Sequence, residues 1–266
     1  MSREAALARA AAYFDEGRFR ERLAALVAYP STSQDVEGAP HLDRYLRDGL
    51  LAWVRELGFE GDIHPNPVEG FGPMLVARRI EDPARPTILL YGHGDTVRGL
   101  ADQWTPGLDP WVLTDQDGLW YGRGSADNKG QHALNLTALE AVLAERGGRL
   151  GFNVTLLIET AEERGSRGLR EFVAANRELL AADALIASDG PRVTPELPTI
   201  ATGTRGTFHF DLAVRLRPGG VHSGHWGGLT RDPAIILAHA LTTLMDRHGR
   251  ILVRDWLPSQ GVPPAV

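Results

Sequence analysis

Two features of this 266-residue chain predict an α/β fold with a largely parallel sheet flanked by helices. Three short apolar runs, Thr87 to Tyr91, Val154 to Ile158 and Ala184 to Ala187, have the length and composition of strands buried on both faces. The segments between them, Asn128 to Arg146 and Ser166 to Leu180, read as helices, so strand and helix alternate as in a βαβ sheet. Such a sheet binds ligands beyond the carboxyl ends of its strands, where His93, Asp95, Glu162, Glu163 and Asp189 stand.

From the N-terminus, Leu7, Ala10, Ala11 and Phe14, then Phe19, Leu23, Leu26 and Val27, fall at helical spacing. Gly17 interrupts the pattern and Pro30 stops it, which predicts two short helices. Leu42, Tyr45, Leu46, Leu50, Val54 and Leu57 predict a helix over His41 to Leu57, ended by Gly58, and a strand is expected around Met74 to Ala77. Beyond Pro198 the character changes. Phe208 to Arg217 alternates apolar and polar residues strictly, the pattern of a strand with one wet face. A Gly-rich turn follows, then a helix capped by Asp232 with Pro233 at its first position and Ile236, Leu237, Ala240, Leu241 and Leu244 inward. A first domain over residues 1–199 and the start of a second domain over 200–266 are therefore expected. One strand and one helix are too little to close a core, so the sequence is expected to stop part-way through that second domain.

Composition narrows the function. With 43% hydrophobic residues the chain can bury a sizeable core, and with 28 Lys+Arg against 34 Asp+Glu its charge is −6. The basic residues are scattered, which disfavours nucleic acid and anionic membrane as partners. The absence of Cys excludes thiolate chemistry and leaves any metal to His, Asp and Glu. Arg3, Glu4 and Arg9 interrupt the N-terminus as no signal peptide would be interrupted, and no run reaches the roughly 18 apolar residues of a membrane span, so a cytoplasmic address is expected.

His93 ends a strand with Asp95 two residues on, which fits either a metal-binding imidazole oriented by a carboxylate or a solvated turn. Gly122 to Gly130 lacks the Gly-Lys-Ser/Thr of a phosphate loop and the third Gly of a dinucleotide fingerprint. Asp127 opens a helix there, either as its N-cap or as a carboxylate bridging two cations. Glu162 and Glu163 are adjacent beyond a buried strand, where like charges need a cation between or beside them. If Glu163 binds it, Glu162 points elsewhere and can serve as general base. Asp189 ends the third run. Four separate segments thus bring ligand-type side chains to one rim of one sheet, the arrangement of a two-metal site.

Gly92-His93-Gly94-Asp95-Thr96, Gly122-Arg123-Gly124 with Asp127-Asn128-Lys129-Gly130, Glu162-Glu163-Arg164-Gly165-Ser166 and Ser188-Asp189-Gly190 together resemble a family of co-catalytic metallopeptidases. That family includes acetylornithine deacetylase, succinyl-diaminopimelate desuccinylase, carboxypeptidase G and carnosinase. Thr202 to Thr207, Val221 to Gly228 and Asp246 to Ile251 are similar to its carnosinase-like dipeptidase branch. The resemblance implies two divalent ions, of zinc, manganese or cobalt. His93, Asp127 and Asp189 would hold one, and Asp127 and Glu163 the other. It also implies Asp95 supporting His93, Glu162 as the base and a cis bond between Asp127 and Asn128. In that family a second domain forms a lid and dimerises, and His222 corresponds to a residue that binds the substrate's carbonyl oxygen, often in the partner's site. The family's second metal has a further His near the C-terminus, in a region with no counterpart here. At most one well-held metal and little turnover are thus expected of these 266 residues alone. The expected reaction is hydrolysis of an amide in a small carboxylate-bearing substrate, a dipeptide or alternatively an N-acyl amino acid. A non-catalytic metal-binding or interaction fragment is the rival reading.

Overall fold

Gly17, at a φ of 82° that its missing Cβ permits, separates α1 (Arg3–Asp15) from α2 (Arg18–Val27), as expected. The computed structural model describes residues 3–190, 192, 194, 196–200 and 209–257. They fall into two units, one within Met1–Ile200 and the other within Ala201–Val266. α2 turns Phe19, Leu23, Leu26 and Val27 into the core, the spacing of one helix face. The helix expected over His41 to Leu57 has an irregular centre. α3 (Ala39–Arg44) and α4 (Ala52–Glu56) are joined by a π-helical stretch, Tyr45–Leu51, which carries Tyr45, Leu46, Leu50 and Leu51 to full burial.

The strands are β1 (Glu60–His64), β2 (Met74–Arg79), β3 (Thr87–His93), β4 (Thr114–Gln116), β5 (Leu119–Tyr121), β6 (Asn153–Glu159) and β7 (Ala184–Ala187). The central sheet runs in the order β1-β2-β6-β3-β7, with β3 parallel to both β6 and β7 and β2 antiparallel to its two neighbours. Register aligns His93 with Glu159 and Tyr91 with Ala187, so β3, β6 and β7 end at one rim. α5 (Lys129–Glu145) packs with α1 and α2, and its Leu136, Leu139 and Leu143 join Leu75, Leu90, Leu156 and Ile158 in one core layer. Phe172 of α6 (Leu169–Ala175), with Leu180, covers Met74, Val76 and Leu157 in a second layer. Each such aliphatic side chain, once buried, contributes about 1.5–3 kcal/mol. This is the mainly parallel, helix-flanked sheet that the alternating pattern predicts.

Burial departs from expectation at the rim. β6 is buried along its whole length, as its apolar run implies, but all four residues of β7 are exposed. Among the described residues β7 is an edge strand paired only with β3, and Leu185 and Ile186 are exposed. β1 and the hairpin β4–β5 are additions that the apolar pattern misses, because β1 and β4 are mostly polar and β5 is only three residues long.

In the second unit, residues 209–217 form no strand, and the expected start at Phe208 lies outside the described residues. The alternation is present, but among the described residues no neighbouring strand completes a ladder. α7 (Ser223–Trp226) is a single turn within the Gly-rich segment. α8 (Pro233–Leu244) starts as expected, with Asp232 Oδ1 accepting from the Ala234 N–H at 2.8 Å. Ile236, Leu237, Ala240 and Leu244 are partly shielded, whereas Leu241, expected inward, is exposed. Among the described residues no helix is long and apolar enough to cross a membrane.

Candidate metal centre

His93 closes β3 with its ring buried, 1% exposed, and both nitrogens engaged. Nδ1 lies 3.0 Å from the Asp95 carbonyl and 3.3 Å from its Oδ1. Nε2 faces outward to Asp127 Oδ1 at 2.9 Å, Asp189 Oδ2 at 3.5 Å and Glu162 Oε2 at 3.9 Å. Burial alone would push the His93 pKa down, but the hydrogen bond that its ring donates to Asp95 and the charges of Asp95, Asp189 and Glu162 raise it to about 10.

Asp127 stands just before α5, and the peptide bond joining it to Asn128 is cis, as the resemblance implies. The N-cap is Asn128 rather than Asp127, and its side chain makes no capping bond. Asn128 instead spans the site, with Oδ1 accepting from the His93 N–H at 3.2 Å and Nδ2 donating to the Ser188 carbonyl at 3.2 Å. It therefore ties the ends of β3 and β7 together, a task the sequence motif did not reveal. Gly92 admits this bridge, since a Cβ there would stand 2.5 Å from Asn128 Oδ1 and 2.7 Å from His132 Nε2. His132 itself is buried, its Nδ1 2.7 Å from the Tyr45 hydroxyl.

One donor atom from each of His93, Asp127 and Asp189 falls within 4.8 Å of the others. Glu163 is not part of that group. Its backbone N–H donates to Asp95 Oδ2 at 3.1 Å, and that of Glu162 to Asp95 Oδ1 at 3.2 Å. Burial is the first cause that raises the pKa values of Glu162, Glu163 and Asp189; the charge of His93 opposes it, and Asp127 adds to it in all three. Carboxylates raised by burial and by one another are a donor set that a cation relieves, so these residues fit a divalent metal.

His222 belongs to the second unit. It caps α7, its Nδ1 accepting from the Gly224 N–H at 3.1 Å, and its ring lies 4.7 Å from that of His225. Trp226 is exposed. Around Gly249, Asp246 Oδ1 accepts from the N–H groups of His248 at 2.8 Å and Arg250 at 2.9 Å, a side-chain-stabilised turn. Arg205 and the rest of 202–207 lie outside the described residues.

The chain is 38% identical over 206 residues to the cysteinylglycine-S-conjugate dipeptidase of Corynebacterium striatum, a match taking in 77% of this chain and 44% of that protein. It is 37% identical over 186 residues to the Beta-Ala-His dipeptidase of Homo sapiens, taking in 68% of this chain and 36% of that one. Its fold is similar to that of human carnosine dipeptidase 1, with a TM-score of 0.72 at 28% identity over 94% of this chain and 54% of the other. The chain thus spans about half or less of the length of these relatives. Residues 89–230, the stretch that contains every one of the converging side chains and His222, match peptidase family M20/M25/M40, to which the chain belongs.

Proposed function

We propose that this chain carries the metal-binding half of a dipeptide-hydrolysing site. The convergence of His93, Asp127 and Asp189 beyond the parallel strands supports the reading most directly, and the dipeptidase relatives give it a substrate class. His93, Asp127 and Asp189 would hold one divalent ion, and Asp127 with Glu163 would hold a second. Zinc, manganese and cobalt all suit such a donor set. A cation held there supplies Lewis acidity toward a carbonyl oxygen and eases the deprotonation of water.

The chain's own residues divide the remaining work. Asp95 engages His93 Nδ1 and so directs Nε2 at the carboxylates. Glu162, whose side chain is 41% exposed, has the access needed to take the proton of the attacking water at a carboxylate oxygen. It then returns that proton to the departing amine. His222 accepts at Nδ1 from the Gly224 N–H, so Nε2 would be the nitrogen that donates to the scissile carbonyl oxygen. Pairing of two copies through residues 200–266 belongs to the same reading. The exposed Ile235, Leu241, Met245, Ile251 and Leu252 are compatible with it, and sedimentation at rising concentration tests it.

The function is tested by measuring metal content and hydrolysis of a panel containing unmodified dipeptides and N-acetyl and N-succinyl amino acids. Metal uptake by the chain is expected, with cleavage by the longest available form of the protein confined to the dipeptides. Preference for the acylated amino acids would move the chain to the deacylases. Metal uptake with no turnover of any substrate, also in the longest available form of the protein, would leave a metal-binding module and overturn the hydrolytic reading.

A further inference from the structure

Asp95 is fully buried, and its carboxylate is shared four ways. Oδ1 lies 3.3 Å from His93 Nδ1 and accepts from the Glu162 N–H at 3.2 Å. Oδ2 accepts from the Glu163 N–H at 3.1 Å and from the Ser33 hydroxyl at 2.6 Å. The first three contacts join the imidazole to the Glu162-Glu163 turn. The fourth and shortest arrives from a segment 62 residues earlier that carries none of the candidate metal ligands.

That segment is held as a strap along residues 94–98. Lys129 Nζ donates to the Tyr29 carbonyl at 2.6 Å, and Ser31 Oγ donates to the Gly94 carbonyl at 2.7 Å. Thr32 bridges to Thr96, whose N–H donates to the Ser31 carbonyl at 2.9 Å. Past Ser33, Gln34 Nε2 reaches the Glu163 carbonyl at 3.2 Å, and Arg98 Nε donates to Asp35 Oδ1 at 2.7 Å. The strap is anchored on both sides of Ser33, so its backbone presents the hydroxyl at a set position. A short hydrogen bond to an ionised acceptor is among the stronger ones, and burial removes the water that could replace it. Without it Oδ2 keeps one amide donor, and the carboxylate can turn about its last torsion, taking its hold on the imidazole and the turn with it.

We propose that Ser33 is a positioning residue of the metal centre, whose hydroxyl fixes the Asp95 carboxylate and thereby sets the His93 imidazole against the Glu162-Glu163 turn. The inference rests on the metal-site reading above. It is tested by titrating the metal-free chain with zinc in competition with a chromophoric chelator, for the wild type, Ser33→Ala and Ser33→Thr, alongside the melting temperature of each without metal. Ser33→Ala should weaken zinc binding about tenfold or more, the range seen when such outer partners are lost, with its metal-free melting temperature little changed. Ser33→Thr, which keeps the hydroxyl, should restore most of the affinity. Equal zinc affinity in wild type and Ser33→Ala, equal losses in Ser33→Ala and Ser33→Thr, or a loss accompanied by general destabilisation would each overturn the proposal. A wild type that takes up no zinc would overturn the metal-site reading itself, and this inference with it.

Discussion

Glu162 and Glu163 are neighbours in sequence, and Glu162 Oε2 comes within 3.9 Å of His93 Nε2. Both donate their backbone N–H groups to Asp95, which fixes the turn while leaving the side chains to act separately. Replacing Glu162 by Gln keeps the shape and removes the proton acceptor. In the longest available form of the protein, Glu162→Gln is therefore expected to lower kcat by about 10²–10⁴-fold with metal content unchanged, as read by steady-state kinetics on a dipeptide and by elemental analysis. Near-normal turnover would remove Glu162 from the base role, and lost metal would make it a ligand. The chemistry of such residues is legible in sequence because it depends on residue type and on an abrupt strand end, both visible at His93, Glu162 and Asp189. Asn128 and Ser33 are illegible for the opposite reason. An amide and a hydroxyl have many uses, and their partners His93 and Asp95 lie 35 and 62 residues away.

Among the elements, the entry to β6 is organised by one carboxylate. Glu81 accepts from the Leu150 N–H at 2.6 Å and the Gly151 N–H at 2.9 Å, and Arg79 lies beside it at 3.3 Å. Burial pushes the Glu81 pKa up, but the two amide donors and Arg79 outweigh it and hold the pKa below the ordinary carboxylate value. A depressed folded-state pKa contributes stability that is fully present above the unfolded value of about 4.3 and is lost as pH falls through the folded one. Glu81→Gln should thus cost about 1.5–3 kcal/mol at pH 7, with the gap to wild type closing as the pH is taken below 4. A gap that persists undiminished to pH 3 in denaturant titrations would contradict this. Periodicity located β3, β6 and β7 because it reports composition. It could not report neighbours, which is why β7 reads like β6 yet lies exposed at an edge, and why the alternation over 209–217 forms no strand.

At the scale of the whole molecule, the candidate site joins parts of the fold that differ in their own stability. β6 is buried between two neighbours, whereas β7 holds on through a one-sided ladder from Ile88↔Ala184 to Tyr91↔Ala187. Asp189 lies two residues beyond β7, and Asn128 Nδ2 reaches the Ser188 carbonyl between them. A cation shared by His93, Asp127 and Asp189 would therefore link this weakly held edge to the end of β3. Binding to the native state alone stabilises by about 2.7 kcal/mol when free metal is a hundredfold above its dissociation constant. The gain should be largest where local opening is easiest. Hydrogen exchange with and without zinc is expected to show β7 slowing markedly while β6 changes little, and Asp189→Ala should abolish the difference at β7. Uniform slowing across the sheet, or slowing at β7 that survives Asp189→Ala, would mean that the metal does not reach the edge through Asp189.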